Sequence, residues 1–171
     1  MVVHNRIFLV GPMGAGKTTI GKRLAKSLKR RFIDCDHELE RRTGVKVAVI
    51  FEIEGESGFR DRERRMLDEL TQLDDIVLAT GGGVVLDAGN RELLRSRGYT
   101  VYLYASIGDL LARTRNDTSR PLLKGPDRAQ RLHDIVTTRE PFYREVAALA
   151  IDTGANTLND IVTLIRAECA P

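Results

Sequence analysis

One segment near the start of the chain combines glycines, a lysine and a hydroxyl residue at a spacing suited to holding phosphate. It reads Gly11-Pro12-Met13-Gly14-Ala15-Gly16-Lys17-Thr18. Glycines let backbone N–H groups wrap closely around an anion, and the positive end of a following helix faces the same anion. We expect Lys17 to reach the β- and γ-phosphates and the Thr18 hydroxyl to coordinate Mg²⁺. With a predicted strand before it and a predicted helix after it, the segment indicates a nucleoside triphosphate site.

Other nucleotide-binding classes fit the chain less well. A dinucleotide-binding loop would explain Gly14 and Gly16, but Thr19 stands where its third glycine belongs and Lys17 would have no role. The sequence has no Asn-Lys-x-Asp motif for reading guanine, and 171 residues are too few for a motor or helicase. Two classes are left: a kinase that acts on a small molecule, and a binding module that holds a nucleotide without chemistry.

Two aspartates follow the second predicted strand, at the sheet edge where open α/β folds bind ligands. They are Asp34 and Asp36, and in an extended segment their side chains would share one face. Because nearby carboxylates repel, a cation or a hydroxyl donor is needed to relieve them. We expect one to face Mg²⁺ through water and the other to accept a hydrogen bond from a substrate hydroxyl. The competing interpretation is a solvated strand end whose aspartates cap the next helix.

Three arginines and a run of glycines are further candidates. Arg120 lies in a polar loop, where it could neutralise charge during phosphoryl transfer. Arg60 could clamp a carboxylate, although its charged neighbours favour a solvated helical face. Arg139 could bind a carboxylate or could interact with the helix dipole near the C-terminus of its helix, and the sequence does not distinguish between these two roles. Three consecutive glycines at 81–83 would let the backbone touch a substrate or make a tight turn.

Short apolar runs alternate with longer helix-like stretches, which predicts an α/β fold with a mostly parallel sheet covered by helices on both faces. The predicted strands are 6–10, 31–33, 76–79, 100–104 and 149–151. The predicted helices are 18–29, 37–43, 60–73, 91–97, 107–115, 128–139 and 158–168. Pro141 is expected to end or bend its helix near Glu140. Residues 116–127 are polar, contain prolines and a glycine, and indicate an exposed, mobile loop.

Composition excludes several classes of protein. With 42% hydrophobic and 30% charged residues, the chain matches a soluble globular domain and not a fibrous or disordered one. No apolar stretch is long enough for a bilayer, and the 27 basic and 24 acidic residues are too mixed for a nucleic-acid surface. Two cysteines, Cys35 and Cys169, form no disulfide framework, which indicates reduced thiols in the cytoplasm.

Together these motifs resemble the shikimate kinase family, and the resemblance runs nearly end to end. It rests on the phosphate loop, Asp34-x-Asp36, Gly58-Phe59-Arg60, Thr80-Gly81-Gly82-Gly83, Arg120-Pro121-Leu122-Leu123 and Arg139-x-Pro141-x-Tyr143. The resemblance implies a three-layer α/β/α fold of the adenylate-kinase-like P-loop type, with a five-stranded parallel sheet. It also implies one domain over 1–171, with a mobile lid at about 115–127 and a substrate-binding subdomain at about 34–61.

The resemblance implies ATP-dependent phosphorylation of the shikimate 3-hydroxyl, with Mg²⁺, by a cytoplasmic monomer that contacts neither nucleic acid nor membrane. Catalysis would involve Lys17, Asp36 and Arg120. Shikimate would contact Asp36, Arg60, Gly82 and Arg139, while Thr18 and, through water, Asp34 would hold the metal ion. ATP would contact Gly14, Ala15, Gly16, Lys17, Thr18, Thr19, Arg113, Arg120 and Asn156. Two alternatives stay open: a gluconate-type kinase, against which the paired arginine motifs and the triple glycine argue, and a non-catalytic nucleotide-binding relative.

Overall fold

The computed structural model describes residues 3–169. Its centre is a parallel sheet of five strands in the order β2-β3-β1-β4-β5. The strands are β1 (Arg6–Val10), β2 (Arg31–Asp34), β3 (Ile76–Ala79), β4 (Tyr99–Tyr104) and β5 (Leu149–Asp152). The α/β class, the parallel sheet and its five strands are confirmed.

Helices cover both faces of the sheet because side chains along each strand point alternately to opposite sides. Ile7 and Leu9 belong to one apolar cluster, while Phe8 and Val10 belong to the other. The resulting three layers enclose a separate core on each face. The helices are α1 (Lys17–Leu28), α2 (Cys35–Thr43), α3 (Val47–Leu70), α4 (Ala88–Arg97), α5 (Ile107–Thr114), α6 (Arg128–Val146) and α7 (Leu158–Cys169).

Helix α3 begins at Val47, thirteen residues before the start at residue 60 that the sequence predicts. β-branched residues and glycines hide this extension in the sequence, and Gly55 interrupts it with φ 72° and ψ 179°. The side chain of Lys46 does not cap the helix. Glu40 of α2 does so instead, since its Oε1 accepts a hydrogen bond from the Val47 N–H at 3.2 Å. A tertiary contact therefore fixes this helix start.

Pro141 is expected to end or bend its helix near Glu140, but helix α6 continues past it to Val146, so the helix does not end there. Proline has no N–H to donate to the preceding turn, which weakens a helix at that point. Beyond the proline, however, Tyr143 is fully buried and stacks on Tyr102 of β4, with ring centroids 5.0 Å apart. We infer that this packing outweighs the missing hydrogen bond.

The segment between α5 and α6 has only one short 3₁₀ turn, Pro121–Leu123, and most of its side chains are exposed.

Cys35 and Cys169 are both buried free thiols. Within residues 3–169, no helix is both long and apolar enough to span a membrane.

Gly11, which follows β1, generates a prediction about stability. Its φ is 147°, and a Cβ added there would lie 2.1 Å from the Leu103 carbonyl oxygen in β4. That oxygen belongs to the sheet backbone and cannot move aside, so we expect Gly11→Ala to lower the free energy of unfolding by about 3 kcal/mol. Gly108→Ala is the control, because the nearest atom to its added Cβ is Ser106 Oγ at 3.9 Å. Urea unfolding measures both variants, and equal midpoints would contradict the prediction.

Candidate active site

A cleft of about 700 Å³ opens at the carboxyl ends of β1, β2 and β3. The loops that follow these strands meet there because parallel strands all end at the same sheet edge. β3 lies between β2 and β1, with Ala79 opposite both Asp34 and Leu9. The sheet register therefore places the phosphate loop, the two aspartates and the glycine run around one space.

The phosphate loop already holds its lysine in place. Lys17 Nζ donates hydrogen bonds to the carbonyl oxygens of Gly11 and Pro12, at 2.6 and 2.9 Å. Burial, together with the nearby charge of Arg120, lowers the pKa of Lys17 to about 8. No side chain caps α1, whose first N–H groups follow Gly16 in a left-handed conformation. Uncapped N–H groups beside an ammonium form an anion-binding site.

Asp34 satisfies both interpretations of its position. Its Oδ1 accepts hydrogen bonds from the N–H groups of Asp36 and His37, at 3.0 and 3.1 Å, and so caps α2. Its Oδ2 accepts one from Thr18 Oγ1 at 2.7 Å, inside the cleft. A hydroxyl and a carboxylate oxygen at this separation are the ligand types that Mg²⁺ prefers, and Mg²⁺ usually takes one or two protein ligands beside phosphate and water. The pair therefore fits a magnesium ion.

Asp36 reaches the cleft from a helix. The expected extended geometry at 34–36 is wrong, because α2 begins at Cys35. Burial and the charge of Asp34 raise the pKa of Asp36, while Arg120 and Lys17 oppose that shift. A carboxylate with a raised pKa is a better proton acceptor than an ordinary one.

Arg60 and Glu63 form a pair inside the cleft, so the solvated face favoured for Arg60 is wrong. The Arg60 side chain is 18% exposed, and its Nη1 lies 2.9 Å from Glu63 Oε1. Glu63 is 3% exposed and its Oε2 has no hydrogen-bond partner within residues 3–169. Its pKa is raised by burial, against the charge of Arg60. Sequence reasoning missed Glu63; its spacing of three from Arg60 on a helix was the available signal.

Arg139 is buried to 5% exposure and lines the same cleft. It lies well before the end of α6 at Val146, so a role at a helix C-terminus is wrong. Across the described residues, each of Arg60 and Arg120 has a carboxylate partner, whereas Arg139 forms no ion pair. A Cβ added to Gly82 would lie 3.6 Å from both Arg139 Nη1 and the Gly11 carbonyl oxygen. Gly82 thus separates this guanidinium from the phosphate loop.

Two further arginines, Arg113 and Arg120, line the cleft together with the phosphate loop. Arg120 Nε donates to Asp117 Oδ2 at 2.8 Å within the loop between α5 and α6. Arg113 Nη1 donates to the Gly14 carbonyl at 3.1 Å and to Thr153 Oγ1 at 3.0 Å. Arg113 therefore ties the phosphate loop to the segment after β5.

Most residues predicted for the site line this one cleft: Gly14, Gly16, Lys17, Thr18, Thr19, Asp34, Asp36, Arg60, Gly82, Arg113, Arg120 and Arg139. Two do not. Ala15 is fully buried, and Asn156 donates through Nδ2 to the Asp152 carbonyl at 2.8 Å, beside a smaller depression. The cleft combines an anion cradle with the buried Arg139, the half-buried Arg60 and Arg120, and a carboxylate. On this fold, that combination defines the class of P-loop kinases that phosphorylate small molecules.

Comparisons with known proteins narrow the class to one family. The family model for shikimate kinase matches residues 13–170. A shikimate kinase of Bordetella avium is 59% identical over 161 residues, which cover 94% of this chain and 76% of that relative. The chain therefore belongs to the shikimate kinase family, which uses ATP as co-substrate.

Solved structures agree with the family. A shikimate kinase from Acinetobacter baumannii, in complex with shikimate, has a TM-score of 0.91 at 50% identity and covers 94% of this chain and 90% of its own. A gluconokinase from Sinorhizobium meliloti has a TM-score of 0.60 at 21% identity, over 93% of this chain and 87% of its own. The gluconokinase likeness shows the shared fold alone.

The unpaired charge of Arg139 generates a second prediction. A buried cation without an anion is costly, and an apolar side chain of similar length avoids that cost. We expect Arg139→Met to raise the free energy of unfolding by about 1–2 kcal/mol at neutral pH without ligands. Arg144→Met is the control, because Arg144 is an exposed residue of the same helix that pairs with Glu140. Thermal unfolding compares them, and a lower melting temperature for Arg139→Met would contradict the prediction.

Proposed function

We propose that this protein transfers the γ-phosphoryl group of ATP to the 3-hydroxyl of shikimate, giving shikimate 3-phosphate and ADP. This reaction is a step toward chorismate and the aromatic amino acids. Family membership supports the reaction. The observation that carries the acceptor assignment is the buried Arg139, which forms no ion pair within residues 3–169 and shares a cleft with Asp36 and the phosphate loop.

The acceptor's carboxylate would bind between Arg139 and Arg60, with the Gly82 backbone beside it. A guanidinium donates two parallel hydrogen bonds to a carboxylate, which fixes the acid's orientation as well as its position. Arg60 already shares its charge with Glu63 at 2.9 Å, so Arg139 would provide most of the attraction. Held in this way, the acceptor would turn its hydroxyls toward the phosphate loop.

Asp36 would accept the hydrogen bond of the reacting hydroxyl. The hydroxyl oxygen bonds to the γ-phosphorus while the bond from that phosphorus to the ADP oxygen breaks, and the hydroxyl proton passes to Asp36. The raised pKa of this carboxyl supports proton acceptance. Phosphoryl transfer needs positioning and charge neutralisation more than covalent help, and Asp36 would contribute the positioning of the hydroxyl.

The ATP phosphates would lie in the loop of Gly14, Ala15, Gly16, Lys17, Thr18 and Thr19. Ala15 can contribute its backbone N–H even though its side chain is buried. Lys17 would exchange its two carbonyl partners for the β- and γ-phosphates, and Arg120 would neutralise charge at the transferred group. Arg113 would flank the adenine. Asn156 is a further proposed adenine contact, although it does not line the cleft in this structure.

Magnesium would be held by Thr18 directly and by Asp34 through water, since their oxygens lie 2.7 Å apart in the cleft. When bound, the ion neutralises phosphate charge. Segment 115–127 would act as a mobile lid that carries Arg120 over the phosphates. Segment 34–61 would act as the substrate-binding subdomain. On the family resemblance, we also propose a monomer that works in the cytoplasm.

The test of this function is ADP release from Mg·ATP with shikimate, with gluconate and without an acceptor. Release that depends on shikimate alone supports the proposal. Release with gluconate instead of shikimate would support the same phosphoryl-transfer mechanism but would exclude shikimate as the substrate. ATP binding without release in any tube would favour a nucleotide-binding module.

The role of Asp36 generates a third prediction. Asp36→Asn keeps the shape of the side chain but accepts protons far less readily, so we expect kcat to fall by about a hundredfold or more. The melting temperature should stay within a few degrees of wild type, which circular dichroism can check. Asp61→Asn is the control, because Asp61 lies on the exposed side of α3 and pairs with Arg64. Near-normal kcat for Asp36→Asn would remove Asp36 from the acceptor side.

A further inference from the structure

We propose that Tyr143 is a positioning residue for the acceptor, because its hydroxyl fixes the Gly82 backbone relative to Arg139 and so sets the affinity for shikimate. The inference rests on the proposed function, in which Gly82 and Arg139 bind the acceptor. Tyr143 does not line the cleft and would act only through those two residues.

Tyr143 is held firmly on both sides. Its side chain is fully buried, its ring stacks on Tyr102 at an interplanar angle of 21°, and its hydroxyl donates a hydrogen bond to the Gly82 carbonyl oxygen. Arg139 lies four residues earlier on the same helix, and residues at this spacing project from one face. One turn of α6 therefore carries both the Arg139 guanidinium and the Tyr143 hydroxyl that binds the Gly82 carbonyl.

Backbone hydrogen bonds hold the first and third glycines of the run, from the Val84 N–H to the Gly81 carbonyl at 3.2 Å and from the Leu86 N–H to the Gly83 carbonyl at 3.1 Å, but neither involves the Gly82 carbonyl. Side chains of α4 hold the later part of this loop: Asn90 Nδ2 donates to the Val84 carbonyl at 3.0 Å, and Arg91 Nη1 donates to the Val85 carbonyl at 2.8 Å. For the carbonyls of residues 81–83, the only side-chain donor in the described part of the chain is Tyr143. Because glycine explores more backbone conformations than other residues, this one hydrogen bond has a large ordering effect.

The orientation of one peptide plane connects this hydrogen bond to the cleft. In a trans peptide the carbonyl and the following N–H point in opposite directions, so fixing the Gly82 oxygen also fixes the Gly83 N–H. Gly82 lies between Arg139 and the phosphate loop, and a Cβ on it would be 3.6 Å from each. A rotated peptide would therefore change the space in which the acceptor's carboxylate meets Arg139.

The test compares Tyr143→Phe with Tyr102→Phe. Both variants remove one hydroxyl from the same ring stack, but Tyr102 does not line the cleft, and within residues 3–169 its hydroxyl donates no hydrogen bond to the glycine run. We expect Tyr143→Phe to raise KM for shikimate about three- to tenfold, as for the loss of one buried hydrogen bond, with KM for ATP and kcat within about twofold of wild type. Tyr102→Phe should change none of the three constants by more than about twofold.

A second measurement is independent of activity. The Val84 N–H donates to the Gly81 carbonyl at 3.2 Å, so its hydrogen exchange reports on the order of the glycine run. In ligand-free protein, this exchange should be several-fold faster in Tyr143→Phe than in wild type or Tyr102→Phe.

Several results would overturn the positioning role. These are an unchanged KM for shikimate in Tyr143→Phe, equal rises in both KM values, unchanged Val84 exchange, or loss of cooperative unfolding, which would make the hydroxyl a determinant of folding. Absence of shikimate-dependent ADP release by the wild-type protein is a different result. It would overturn the proposed function, and the positioning role for shikimate with it.

Discussion

Charge removed from water in the cleft is the constraint on which the rest of this structure depends. Lys17 is held by two backbone carbonyls, Arg60 by Glu63 and Arg120 by Asp117. Within residues 3–169, Arg139 has no such anion although it is almost fully buried. Buried charges are costly unless they are paired, so the protein maintains this arrangement at the expense of its own stability. A bound acid would supply an anionic partner, so the cost of burying Arg139 is linked to the affinity for substrate.

The parallel sheet makes this concentration of charge possible. β1 and β2 flank β3, so the phosphate loop, the aspartate pair and the glycine run leave the sheet side by side. The helices that follow supply N–H groups as well as side chains, which lets Asp34 cap α2 and face Thr18 at once. Apolar clusters on both faces keep the strands in register. The sheet therefore positions these three segments, while α3, α6 and the loop between α5 and α6 add Arg60, Arg139 and Arg120 to the cleft.

Local signals in the sequence were enough for much of the fold. Apolar runs located the five strands, whose predicted and observed ends differ by at most one residue. The predictions were wrong where tertiary contacts determine where a helix begins or ends. The Glu40 side chain of α2 caps the start of α3, and α6 continues beyond Pro141, where Tyr143 packs in the core. Glu63 was missed because burial, which distinguishes it from its exposed charged neighbours, does not appear in the sequence.

The most direct test of this account compares kcat/KM for shikimate and for its methyl ester, in wild type and in Arg139→Ala. The ester keeps the hydroxyls and removes the negative charge, so the four values form a cycle that isolates the contact between carboxylate and guanidinium. We expect esterification to lower kcat/KM about a hundredfold in wild type, and to lower it by a factor at least about ten times smaller in Arg139→Ala. The same cost in both proteins would mean that Arg139 does not hold the carboxylate, and would contradict the account.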